Sequence, residues 1–143
     1  MKRLTIPQTI AAWNQNGKDF LPGYLGMEFL AVEPDEVVAR MRVELHKCAW
    51  NGYLHAGAVV SLADTACGYA TLRNIPDGAS GFTTIELKSN FLGTTLEGDV
   101  ICVARPVHKG RTTQVWDAEV RAEMNGKIIA VFRCTQMILR PAG

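Results

Sequence analysis

The chain has 143 residues, 48% hydrophobic and 20% charged, with a formal net charge of +1. This is the composition of a soluble globular protein with one sizeable core, and the balanced charge excludes nucleic-acid or membrane-surface binding driven by bulk charge. No apolar run approaches the roughly 20 residues that span a bilayer, and no apolar stretch follows the basic pair in Met1–Pro7, so neither a membrane helix nor a signal peptide is expected. Residues 1–143 therefore read as a single domain, with residues 1–20 as an N-terminal segment carrying a short helix. Cys48, Cys67, Cys102 and Cys134 are far apart and form no CxxC pair. Free thiols in a reducing cytoplasm are expected, without a metal site or a disulfide framework.

In chain order, Pro7 to Asn16 reads as a short helix with Ile10, Ala11 and Trp13 on one apolar face, stopped by Gly17. Phe20 to Tyr24 reads as a turn, Leu25 to Val32 as a strand, and Pro34-Asp35 as the turn after it. From Val37 to Leu45 the residues Val37, Ala39, Met41, Val43 and Leu45 alternate with Val38, Arg40, Arg42 and Glu44, the pattern of a half-buried antiparallel strand.

A loop from His46 to Leu54 leads into the most distinctive stretch, Asn51 to Leu72, which turns apolar at Ala56 and has no proline. Val59, Val60, Leu62, Ala63, Ala66, Cys67, Ala70 and Leu72 make its helix apolar on nearly every face, so it belongs in the interior. Arg73 to Gly78 closes it. Four strand-like runs follow: Phe82 to Phe91, Gly98 to His108, Thr112 to Glu123 and Lys127 to Leu139. Gly93-Thr94-Thr95, Lys109-Gly110-Arg111 and Asn125-Gly126 separate them, and Asn-Gly is a strong hairpin signal. In the last run Ile128, Ala130 and Phe132 oppose Ile129, Val131 and Met137, so both sheet faces need cover. The expected fold is α+β: a curved antiparallel sheet, ending in a four-strand meander, wrapped around one long helix. Its open edges suggest dimerisation.

Asp64 is the misfit inside the apolar helix, because a buried charge without a partner is expensive. Positions three, four and seven away share its face. They make a small or weakly polar line of Gly57, Ser61, Asp64, Gly68 and Thr71. One reading is a cleft in which a ligand meets the carboxylate; the other is a carboxylate facing solvent or bonded to a neighbour for structure. His55-Ala56-Gly57 lies where the first helical N–H groups lack partners and favour negative charge. These groups form an oxyanion hole or are capped by Asn51 or water. The His55 ring either touches substrate or bonds the backbone at the helix start. His46 and His108 read as surface. Ser61, mid-helix, lacks the strand-to-helix elbow of a serine nucleophile.

The run Gly52-x-x-His55-Ala56-Gly57-x-x-x-x-Leu62-Ala63-Asp64 resembles the G-x-x-H-G-G-x-x-x-x-L-A-[DE] pattern of hotdog-fold acyl-CoA thioesterases of the phenylacetate-pathway and 4-hydroxybenzoyl-CoA types. Thr83-Thr84-Ile85-Glu86-Leu87, Gly110-Arg111-Thr112-Thr113, Val115-Trp116-Asp117 and Leu139-Arg140-Pro141 fall where that family places strands and turns. The resemblance implies a helix wrapped by five or six antiparallel strands, paired into dimers and dimers of dimers, with the active site between two subunits. It implies that Asp64 attacks the thioester carbonyl or activates water, that the Ala56 N–H of the partner subunit polarises the carbonyl, and that Thr84 holds water or substrate. It also implies that basic residues at the sheet rim meet the coenzyme A phosphates, which makes Lys88, Lys109, Arg111 and Arg140 candidates; a solvated turn is the other reading of Lys109-Gly110-Arg111. Coenzyme A is part of the substrate, and no separate cofactor or metal is implied. Two departures stand out. Ala56 replaces the first glycine of the triplet, and Ala49 replaces the Asn or Gln six residues before the histidine, with Asn51 nearby but out of register. Trp50, Tyr53 and Phe82 are candidates for an aromatic acyl pocket or for core and interface. A hotdog hydratase lacks its catalytic His–carboxylate pair here, whereas a non-catalytic acyl-CoA-binding module shares the fold.

Overall fold

The structure, a computed structural model, describes residues 4–142; the reading of the start at Met1–Arg3 lies outside the described residues. Helix α1 spans Ile10–Asn16, three residues shorter than expected at its N-terminus. Thr9 explains the difference: it takes an extended conformation and its side chain accepts the Ala12 N–H, which caps the helix. Of the three residues expected on its apolar face only Trp13 is buried, while Ile10 and Ala11 are exposed. Asn14 ties α1 to the sheet, since its side chain accepts from Phe29 N at 2.8 Å and donates to Phe29 O at 3.0 Å. The expected turn at Phe20 to Tyr24 contains a single helical turn, α2, over Leu21–Tyr24, with proline in its first turn.

The strands are β1 (Glu28–Glu33), β2 (Glu36–Arg42), β3 (Gly81–Phe91), β4 (Asp99–Lys109), β5 (Thr113–Ala122) and β6 (Ile128–Leu139). They form one antiparallel sheet in the order β1-β2-β4-β5-β6-β3. The last four strands are therefore not a simple meander. Only β4-β5-β6 is one; β3 crosses to the far edge beside β6, and β2 takes the place next to β4. Strand β2 ends at Arg42, and Leu45, expected to point inward, begins a 3-10 turn over Leu45–Lys47 and is 87% exposed. In β6 the expected two faces break down at Ile129, which is as buried as Ala130 because the register against β5 shifts there.

Helix α3, Ala56–Arg73, lies against the concave side of the sheet. Leu62, Ala66, Cys67 and Ala70 on the helix and Val37, Met41, Val100, Trp116 and Val120 on the strands are fully shielded from solvent. Small alanines let the helix sit close to the strands while keeping helix propensity high. The helix stops at Asn74, whose side chain bonds Ala70 O and reaches Pro34 O in the β1–β2 turn. All four cysteines are free, three buried and Cys48 half-buried. Among the described residues no helix is long and apolar enough to cross a membrane.

Candidate active site

Solvent access changes steadily along the Gly57–Thr71 line of α3. Gly57 is exposed, Ser61 and Asp64 are half-buried, and Gly68 and Thr71 are buried. Asp64 therefore stands at the boundary between water and core. One of its oxygens, Oδ1, is shielded from solvent and has no hydrogen-bond partner, alone in this among the described side chains. Burial raises its carboxyl above the ordinary value of 3.8. Such a group binds a proton or a ligand readily, because either relieves the lost hydration.

The helix start is more economical with its donors than expected. The His55 Nδ1 accepts the Gly57 N–H at 2.8 Å, and Ala58 N and Val59 N both bond His55 O. Neither Asn51 nor its side chain caps the helix; the Asn51 carboxamide accepts the Tyr53 N–H instead. Among the described residues the Ala56 N–H has no acceptor, so it is the donor left to meet a ligand at this end. Because Nδ1 accepts, the neutral His55 ring carries its proton on Nε2. Ala56 and Asp64 are both on α3, about 12 Å of helix rise apart. A single carbonyl placed within bonding distance of one cannot touch the other in the same chain.

The remaining expected residues divide into three groups. Ser61 spends its hydroxyl proton on Gly57 O at 2.7 Å. Gly68 lies under the Phe82 ring: a Cβ added there would stand 3.3 Å from the ring's Cζ. Thr84 lies on the same side of β3 as Phe82, since they pair with the buried Gln136 and Ile138. Its hydroxyl donates to Gln136 Oε1 at 2.7 Å, so it has only acceptor capacity left.

The basic candidates do not gather at Asp64. Lys109 is bound to Asp35 at 2.6 Å and also donates to Asn74, while Arg140 donates to Asp77 O and Arg111 O. These three therefore cluster at the C-terminal end of α3. Lys88 is on the outer face of the sheet, in a groove of about 600 Å³ that also involves Arg105, Asp117 and Arg133. Trp50 is fully exposed and Tyr53 half exposed, so of the three aromatic candidates only Phe82 is packed on the helix.

Three buried polar side chains were absent from the sequence reading. The Lys47 side chain is 1% exposed, yet its ammonium donates to Arg42 O at 3.0 Å and pairs with Glu44 at 2.6 Å. The spacing of Glu44 and Lys47 was the available signal. Gln114 bonds Trp116 Nε1 and Asn74 O, and Gln136 meets Thr84 and Cys134; alternation alone places such residues inward without naming their partners. The buried thiols are poor nucleophiles: burial pushes Cys102 up to about 12, and contact with Cys134 together with burial raises Cys67.

One long helix cradled by a six-stranded antiparallel sheet defines a hotdog-type fold. The thioesterase superfamily model matches residues 51–129. The chain is 31% identical over 134 residues to the 1,4-dihydroxy-2-naphthoyl-CoA hydrolase of Escherichia coli, covering 92% of this chain and 95% of that one. It is 31% identical over 118 residues to a proofreading thioesterase of Cronobacter turicensis, covering 80% and 83%. Among solved structures, a variant of a thioesterase from Pseudomonas aeruginosa superposes with a TM-score of 0.87 at 30% identity, covering 92% of this chain and 94% of that one. The chain belongs to the thioesterase superfamily, and it is a thioester hydrolase.

Proposed function

We propose that this chain hydrolyses acyl-CoA thioesters in the cytoplasm through an active site completed by a second copy of itself. Asp64 serves as nucleophile or as general base for water, and the Ala56 N–H of the partner helix binds the developing oxyanion. Coenzyme A leaves as its thiolate, a good leaving group, so the reaction calls for no metal and no separate cofactor. The observation that carries the reading is the Asp64 oxygen shielded from water with no partner, on the helix of a thioesterase-family chain. The names of relatives acting on an aromatic acyl-CoA support the substrate class.

The need for a second copy follows from the distance between Asp64 and Ala56 along one helix. It is supported by apolar side chains exposed on the edge strand β3 and just beyond it, Ile85, Leu87, Phe91 and Leu92, which a partner edge would cover. The outer sheet face, where Val103 and Val131 alternate with the Arg133–Asp117 pair, suits a further back-to-back pairing into a dimer of dimers. Thr84, with its proton committed to Gln136, accepts one hydrogen of the attacking water while Asp64 accepts the other. The basic cluster of Lys109, Arg111 and Arg140 on the second copy, which antiparallel pairing of the two helices brings to the Gly57 end of this one, and separately Lys88, are the candidates for the coenzyme A phosphates.

The test is release of free thiol from a panel of acyl-CoAs by the wild type and by Asp64→Asn. Turnover is expected to fall by about 10²–10⁴-fold in the variant with substrate binding and fold retained; equal rates would refute the assignment.

A further inference from the structure

We infer that the Phe82 ring ends the acyl pocket and sets the size of the acyl group, in favour of short chains and single aromatic rings. The inference rests on the reading of Asp64 as the reactive carboxylate and adds to it which way the substrate lies. The α3 line runs from exposed Gly57 through half-buried Asp64 to buried Gly68 and Thr71. Coenzyme A is large, charged and hydrated, so it has to leave through the exposed end. The acyl group accordingly points the other way, towards Gly68. About 6 Å of helix rise separates Asp64 from Gly68. At that point the Phe82 ring lies over the helix, so close that a methyl on Gly68 would crowd it at 3.3 Å.

Phe82 is held there by its backbone. It pairs with Ile138 in the β3–β6 ladder, and its side chain points to the helix side while remaining half-buried. Gly68 and Phe82 thus form a matched pair: the missing side chain on the helix is what lets the tip of the ring come this close. A planar acyl group can stack on or abut the ring, whereas a long chain has to displace it. The buried Thr71 hydroxyl donates to Cys67 O and has only acceptor capacity left beyond the ring.

The pair can be changed from both sides. Phe82→Ala removes the stop, and Gly68→Ala pushes the ring into the pocket. Relative kcat/KM would be measured across straight-chain acyl-CoAs of increasing length and benzoyl-CoA. Dissociation constants for non-hydrolysable thioether analogues of the same sizes would be measured in parallel. The wild type should favour short and single-ring acyl groups over long chains by about tenfold or more, Phe82→Ala should lose that preference, and Gly68→Ala should penalise the ring-bearing substrate most. Phe82→Leu, which keeps an apolar contact with the helix, stands in if the alanine variant does not fold. If both sides of the pair leave the size profile of rates and dissociation constants unchanged, the inference is overturned, whatever Asp64 does. If Asp64→Asn still turns over, the catalytic reading fails, while the binding series continues to report on the ring.

Discussion

Lys47 and Asp64 both carry charge into the interior, and they are treated in opposite ways. Lys47, in the loop that delivers α3, is almost wholly buried but surrounded by acceptors: Arg42 O and Glu44. Asp64, in the middle of α3, is less buried, yet one of its oxygens touches nothing polar. A buried charge whose partners are all within the chain is doing structural work. One left without partners is free to take a proton or a ligand from outside the chain, a difference that burial alone does not report.

The comparison is broken most decisively at Asp64. Asp64→Asn should lower kcat/KM by about 10²–10⁴-fold in a thiol-release assay, with a melting temperature equal to or above that of the wild type. A matching loss at the helix start should follow Ala56→Pro, at about 10²–10³-fold. Proline removes the free N–H but suits the first helical position, and His55 before it already has the extended conformation, φ −66° and ψ 135°, that proline requires. Circular dichroism and thermal melting should therefore register little change. Lys47→Met should do the reverse, reducing stability by about 1–3 kcal/mol in urea unfolding while the folded enzyme keeps wild-type turnover.

The smallest effect is a difference of sign with pH. Burial raises Asp64 above 3.8, so the folded chain holds this proton more tightly than the unfolded one. Stability from this group is present below the unfolded value and is lost as pH rises through the raised folded value. Lys47, first by hydrogen bond and then by charge, lowers Glu44 below 4.5. The Glu44 contribution is therefore present above that value and is lost as pH falls through the lowered one. Urea midpoints between pH 3 and 7 should show Asp64→Asn gaining on the wild type as pH rises and Glu44→Gln losing ground. The acid limb of kcat/KM should also lie above the pH at which an ordinary aspartate ionises.

Much of this was legible in the residues. The helix was expected from Ala56 to Leu72 and runs one residue further, because a proline-free alanine-rich stretch between a Gly loop and Asn74-Ile75-Pro76 has few alternatives. Asp64 drew attention because charge is rare on such a helix. What remained hidden was what depends on partners distant in sequence. The residues from Phe82 to Phe91 say that this run is a strand, but not that β6, rather than β4, is its neighbour, nor that Ile85 interrupts its two-residue repeat. The sequence of the helix start offers several donors, and only the His55 ring's conformation removes Gly57 from that supply. Burial of Lys47 depends on the chain folding back under Arg42, which local pattern does not encode.

The irregularity in β3 has a consequence of its own. Thr84 and Glu86 stand opposite adjacent residues of β6, Gln136 and Thr135, which leaves Ile85 without an opposite number. Removing it would restore an unbroken two-residue repeat with Phe82, Thr84 and Leu87 still turned towards the helix. The strand thus carries a spare position, where the chain can shorten by one without turning its wall inside out.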